Sequence, residues 1–272
     1  MNRRTLYIEG LGFWAPTLPG WPQAGAALRG SAPALSSPAA IPRPGALPSA
    51  ERRRAPETVS LALAASEAAL KASGRQPDEV LAVFTSAHGD LPAIDNLCST
   101  LAQTPLMVSP TRFLHSIHNS PLGVWSLLAG NRRNHSAVSA AECSFAAGLL
   151  EAALLTETER QPVLLVGYDT AAVGALVHTT SSQGAIAVAM VLHPQPSAHA
   201  LWEMAWHLAP TVGGTSEPHT EAARALPING MSQALPLFEA LALKQPADVS
   251  MHLSDYQQLH VSLRPVPPLA SG

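Results

Sequence analysis

The residues of this 272-residue chain best placed to do chemistry are Glu142-Cys143-Ser144. A short strand, His135 to Ala141, runs into them, and a helix of small residues, Phe145 to Ala152, follows at once. A thiol in the first turn of a helix sits among unpaired backbone N–H groups at the positive end of the helix dipole, which favours the thiolate. A carboxylate is comfortable in the same field but cannot serve as a thiol nucleophile. Whether Glu142 or Cys143 holds the elbow decides between an enzyme and the shell of one. A reactive Cys143 would also need a histidine or cation nearby; without one it is a small, buried, inert thiol.

Other candidate chemistry falls away on inspection. Gly10-Leu11-Gly12-Phe13-Trp14-Ala15 follows a strand in the manner of a dinucleotide fingerprint, but Pro16, Pro19 and Pro22 break the helix that fingerprint must open. No Gly-x-Ser-x-Gly elbow or His-Glu-x-x-His helix is present. His115 and His118, three apart, could share a helical face, but two histidines without a third ligand make a poor metal site. A polar turn around Ser116 and Asn119 accounts for them. Arg52-Arg53-Arg54 reads as a solvated cluster before a helix, or as a contact for an acidic partner.

The elements that must position the elbow alternate. Strands are expected at Thr5–Phe13, Glu79–Ser86, His135–Ala141, Pro162–Gly167, Gly184–His193 and Ala200–Leu208. Helices are expected from Pro56 to Ser73 (stopped by Gly74), Asp90 to Gln103, Pro121 to Ala129, the elbow to about Glu157, and Gly230 to Lys244. Val249 to Leu263 reads as one weak strand or a hairpin, and Gly213 to Pro227 as loop. Pro16 to Ala50, with eight prolines, cannot hold a long helix or a central strand and reads as a mobile surface loop. Apolar runs such as Val163–Val166 and Ile186–Leu192 suit strands covered on both faces. The expectation is a layered α/β fold with a mixed sheet.

Composition bounds the function. With 47% hydrophobic and 13% charged residues, a formal charge of −3 and a pI near 6.4, the chain can bury a real core and has no electrostatic reason to bind nucleic acid or an anionic membrane. Two cysteines, Cys98 and Cys143, make neither a disulfide framework nor a zinc site, which suits a reducing, cytoplasmic compartment. The start, Met1-Asn2-Arg3-Arg4, is basic, but Glu9, Gly10 and Gly12 interrupt the apolar run too early for a signal peptide. No stretch approaches the ~20 apolar residues a membrane span needs.

Val138 to Ala152 resembles the nucleophile region of β-ketoacyl synthases, and Val163 to Asp169 resembles their next strand. Ile8 to Gly12 and Gly184 to Leu192 extend the likeness. Ser109-Pro110-Thr111-Arg112-Phe113, with Ser116, His118, Asn119 and Gly123, resembles the short synthase-like chain-length factors of aryl polyene clusters. The resemblance implies a thiolase-like fold, or half of one, with an N-terminal synthase domain over residues 1–210 (carrying the proline-rich insertion at 16–55) and a short extension over 211–272. Counted without a gap, it puts Glu142 at the family's cysteine position and Cys143 one residue, about 100° of helix, later. The family's catalytic histidines come from a C-terminal half, one in a His-Gly-Thr motif, whereas the His-Gly here is His88-Gly89, before the elbow. The resemblance therefore implies a noncatalytic subunit without cofactor or metal. It would pair with a full-length ketosynthase, meet acyl carrier protein through that complex, and use Phe113, His118, Asn119, Trp125 and Phe145 at the acyl tunnel or dimer seam. Two other readings stand beside it: a condensing or acyl-transfer enzyme using Cys143 with His118 or another histidine, and a free-standing homodimer that binds a hydrophobic ligand.

Overall fold

The computed structural model describes residues 4–267, so the Met1–Arg3 start discussed above lies outside the described residues. Its strands are β1 (Arg4–Ala15), β2 (Leu18–Pro19), β3 (Leu81–Thr85), β4 (His135–Val138), β5 (Val163–Asp169), β6 (Ile186–His193), β7 (Trp202–Pro210), β8 (Ala247–Ser254) and β9 (Gln257–Pro265). Its helices are α1 (Trp21–Leu28), α2 (Ser49–Arg52), α3 (Glu57–Ser73), α4 (Leu91–Gln103), α5 (Pro110–Ser116), α6 (Ser120–Leu128), α7 (Ser144–Glu159), α8 (Glu221–Arg224) and α9 (Leu235–Leu243). One mixed sheet runs β4-β3-β5-β6-β1-β7-β9-β8, with β2 turned back on β1. The β3–β4 and β3–β5 pairs are parallel and the remainder antiparallel. This is the expected thiolase-like layering of a mixed sheet with helices.

Two cores form on opposite faces of this sheet. Val83, Val163, Leu165, Ile186, Val188 and Met190 lie on the α7 face, while Ala82, Phe84, Leu164, Val166, Ala187 and Ala189 lie on the face covered by α3 and α6. In β1 the inward set runs Leu6, Ile8, then Leu11, Phe13, Ala15, switching from even to odd numbers. The switch is a β-bulge: Ile8 pairs with Leu192 and Gly10 with Val191, leaving Glu9 as the extra residue. Glu9 is fully buried. Its carboxylate accepts hydrogen bonds from Arg75 Nε and an Arg75 terminal nitrogen (2.7 and 2.8 Å) and from Ser197 Oγ.

The glycines of the apparent nucleotide fingerprint serve helix packing. A β-carbon on Gly10 would lie 2.2 Å from the Ala69 carbonyl oxygen, and one on Gly12 2.1 Å from that of Ala65. Two strand residues rise about 6.6 Å and four helical residues about 6 Å, so the two spacings match and α3 lies directly on β1.

Several expectations need correction. The proline-rich stretch is not all loop: α1 lies within it, because Pro22 falls in its first turn, where no N–H is required, and it buries Ala24, Ala27 and Leu28. The turn expected near Ser116 includes helix α5, opened by Ser109, whose Oγ accepts from Arg112 N. Of the two readings of Val249 to Leu263, the hairpin holds: residues 247–265 form it, and β9 pairs with β7 from Trp202↔Pro265 to Pro210↔Gln257. The segment after residue 210 thus packs on the core, where Phe238 of α9 meets Phe13, Trp21 and Phe145 at centroid distances of 5.7, 5.8 and 6.5 Å.

Burial alone would raise the Glu9 carboxyl, but hydrogen bonds from Arg75 and Ser197, with the Arg75 charge, hold it below the usual range. Its stabilisation is therefore present above the unfolded-state carboxylate range and is lost as pH falls through the folded value. Removing the partner, as in Arg75→Ala, should cost about 3–5 kcal/mol at pH 7 by denaturant unfolding. The variant's deficit should shrink on acidification, because its orphaned carboxyl then gains a proton. A deficit that does not change with pH would contradict this account.

Candidate functional site

The elbow is built by a left-handed residue and a serine lock. Ala141 has φ 48°, and Ala141–Cys143 make a single tight turn before α7 begins at Ser144. Ser144 Oγ donates to the Ala141 carbonyl (2.6 Å) and accepts from Ala140 N (2.9 Å), while Thr85 Oγ1 donates to the Ser144 carbonyl (2.7 Å). Gly148 lets α7 approach β3, since a β-carbon there would sit 2.7 Å from Thr85. Glu142 points to solvent and Cys143 is half-buried at the helix cap.

Electrostatics at the elbow disfavour a thiolate. Burial raises the Cys143 thiol pKa, and the charges of Glu142 and Asp255 push it further in the same direction. Asp255 sits at the tip of the β8–β9 hairpin, so the C-terminal segment reaches the elbow. Gln233 does so as well: its Oε1 accepts from Ala146 N in the first turn of α7 (3.0 Å), and its Nε2 donates to the His252 carbonyl (2.7 Å). The chain's own amide thus takes up part of the helix terminus that would otherwise favour an anion.

Beside the elbow lies the loop after β3. Asp169 is buried and accepts from Ser86 Oγ (2.7 Å), Ala87 N (2.8 Å) and His88 N (3.1 Å), and burial lifts its carboxyl to about 6 despite these bonds. His88 has a lowered pKa, from burial first and then from nearby His118, with Glu142 acting in the other direction. The His118 ring lies against Gly89, its Nε2 is buried without a hydrogen-bond partner, and its carbonyl accepts from Tyr168 Oη (2.8 Å). His118 lies beyond the end of α5 while His115 lies on it, so the two do not share a helical face. Among the described residues no three His, Cys, Asp or Glu side chains gather as metal ligands.

The structure separates the remaining sequence candidates. Phe113 is exposed on α5, and Asn119 is exposed at the start of α6. Trp125 and Phe145 are core residues on opposite faces of the sheet, at 4% and 0% exposure, and offer a partner almost no surface. Gln233 and Asn229 shape the site but carried no sequence signal, and Asp169 was marked only as the end of a strand. Asn229 reaches the carbonyls of Asp169 and Gly184 and Ser182 Oγ, contacts that only the tertiary fold assembles.

The beta-ketoacyl synthase N-terminal domain model matches residues 26–248, most of the chain. The chain belongs to this family. No curated protein matches it. Among solved structures it is similar to the complex of the ketosynthase ApeO with its chain length factor ApeC from Xenorhabdus doucetiae, at TM-score 0.72 and 23% identity, over 95% of this chain and 99% of the other. The ishigamide ketosynthase/chain length factor matches at TM-score 0.72 and 15% identity, over 97% and 100%. AntDE:AntF, a ketosynthase with its acyl-carrier protein, matches at TM-score 0.72 and 12% identity, over 97% and 100%. At these identities the likeness establishes the fold. Among the described residues no helix is long and apolar enough to cross a membrane.

The raised Cys143 thiol is testable directly. Iodoacetamide at pH 7.5 should alkylate it more slowly than a free thiol, and Glu142→Gln should speed the reaction by about two- to fivefold by removing one repelling charge. Alkylation faster than glutathione would instead identify an activated nucleophile.

Proposed function

We propose that the protein is a noncatalytic, chain-length-factor-like subunit that pairs with a full-length β-ketoacyl-ACP synthase in the cytoplasm and helps wall the pocket in which the partner's acyl chain grows. The observation that carries this reading is the exposed apolar belt beside an unpaired sheet edge. Leu101 near the end of α4, Leu106 and Met107 in the turn after it, Phe113 and Leu114 on α5, and Leu127 on α6 are all more than half exposed. Patches of this kind mark interfaces. Helix α6 adjoins the edge strand, with Trp125 packed edge-on against His135 of β4 (5.5 Å), and β4 has no second strand partner among the described residues. A bare edge next to apolar helices suits strand-to-strand pairing with another subunit.

Glu142 at the elbow and the raised Cys143 thiol support a supporting rather than a catalytic role. Acyl carrier protein then meets the complex through the ketosynthase, and chain length is limited sterically, because an extra carbon unit in a filled pocket costs more in overpacking than its burial returns.

Co-expression with a full-length ketosynthase from the same genome should give a single heterodimer on gel filtration. Leu106→Asp with Phe113→Asp should weaken it by about a hundredfold, about 2.7 kcal/mol. Elution as separate species, or a thioester trapped on this chain alone, would refute the assignment.

A further inference from the structure

A groove of about 440 Å³ opens between α3 and α6, on the face of the sheet opposite α7. Leu63, Glu67, Leu70 and Lys71 line it from α3, and Trp125, Leu128 and Ala129 from α6. Each set is spaced by three or four residues or a multiple of a turn, so each lies on one helical face. Leu63, Leu70 and Trp125 are at most 5% exposed and make an apolar floor, with Leu128 and Ala129 as a wall beside them. Because α7 and its elbow lie across the sheet, this groove is no part of the site described above.

The charged side chains lining the groove are Glu67, Lys71 and Arg75. Glu67 turns both oxygens to backbone, Oε2 accepting from Gly45 N (3.0 Å) and Oε1 from Ala46 N (2.7 Å). Arg75 grips the buried Glu9 through two nitrogens, at 2.7 and 2.8 Å. Lys71 is exposed and makes no hydrogen bond or ion pair among the described residues. A lysine stem can lie along an apolar wall while its ammonium stays at the rim. An apolar floor with one uncommitted cation at its edge suits a ligand that has an apolar body and one negative end. A ligand ending in an ammonium would meet Lys71 and Arg75 as like charges, with the Glu67 carboxylate already bonded.

We propose that this groove binds a small carboxylate with an apolar body, which lies on Leu63, Leu70 and Trp125 while the carboxylate pairs with Lys71. The site does not depend on pairing with a ketosynthase. Trp125 also packs edge-on against His135 of β4 (5.5 Å), so a bound ligand is one side chain away from the edge strand.

Calorimetric titration of 4-phenylbutyrate, 4-phenylbutanol, 4-phenylbutylamine and acetate into the full chain at pH 7.5 tests it. Phenylbutyrate should bind about tenfold tighter than the alcohol, and acetate should give no binding heat at the same concentrations. Lys71→Met, at an exposed helix position, keeps an apolar stem and should lower phenylbutyrate affinity to that of the alcohol. Lys71→Arg should keep the preference. Equal affinities for acid and alcohol, a tighter amine, acetate binding as well as phenylbutyrate, no binding by any probe, or a preference for the acid that survives in Lys71→Met would overturn the proposal.

Discussion

The buried ion pair between Glu9 and Arg75 fixes the register on which the sheet depends. A carboxylate with no exposed surface inside an apolar strand is tolerable only with charge and hydrogen bonds supplied at once, and Arg75 supplies both in a two-pronged contact. Because Glu9 is the extra residue of a bulge, holding it in place sets where β1 changes its inward-facing parity. Leu6 and Ile8 before the bulge, and Leu11 and Phe13 after it, then face one core. A slip by one residue would turn the strand's apolar set over and bring bulk against α3 where Gly10 and Gly12 now allow contact. Arg75 lies just past the left-handed Gly74 that ends α3, so the same ion pair ties the end of that helix to the strand it covers.

The elbow shows how local potential and tertiary context can oppose each other. The start of a sixteen-residue helix attracts negative charge, and by that field alone Cys143 would ionise easily. Three features of this chain reverse the outcome: partial burial, a carboxylate at the preceding position, and Asp255 brought in by the C-terminal hairpin. Gln233 then takes the Ala146 N–H. The segment after residue 210 thus closes over the elbow with neutral and acidic groups. A catalytic centre built there would need a base or a cation in their place.

Much of the fold was legible in the sequence. Apolar runs located β5 and β6, and the Gly74 stop located the end of α3, because burial on both faces and a left-handed cap leave residue-level marks. The helix in the proline-rich stretch was hidden because Pro22 looks like a breaker until its place in the first turn is known. The elbow was legible as a strand-turn-helix, but its electrostatics were not. Asp255 and Gln233 lie 112 and 90 positions from Cys143 in the chain, and no local pattern marks such contacts. Trp125 and Phe145 were legible as large aromatics near the site, yet sequence order alone cannot separate a seam residue from a core one.

The two ends of the sheet are finished differently, and the difference gives the molecule a direction. At β8 the chain covers its own edge: Ser216 N donates to the Ser250 carbonyl and Ser216 Oγ accepts from Ser250 N, both at 2.9 Å, while Gln233 takes the His252 carbonyl. At β4 there are four residues, no further strand among the described residues, and a neighbouring belt of exposed leucines and a phenylalanine. Open strand edges recruit other strands unless they are blocked, and proteins usually block those they do not use. One edge is blocked here and the other is set among apolar side chains. That asymmetry favours association at the β4 edge rather than at β8.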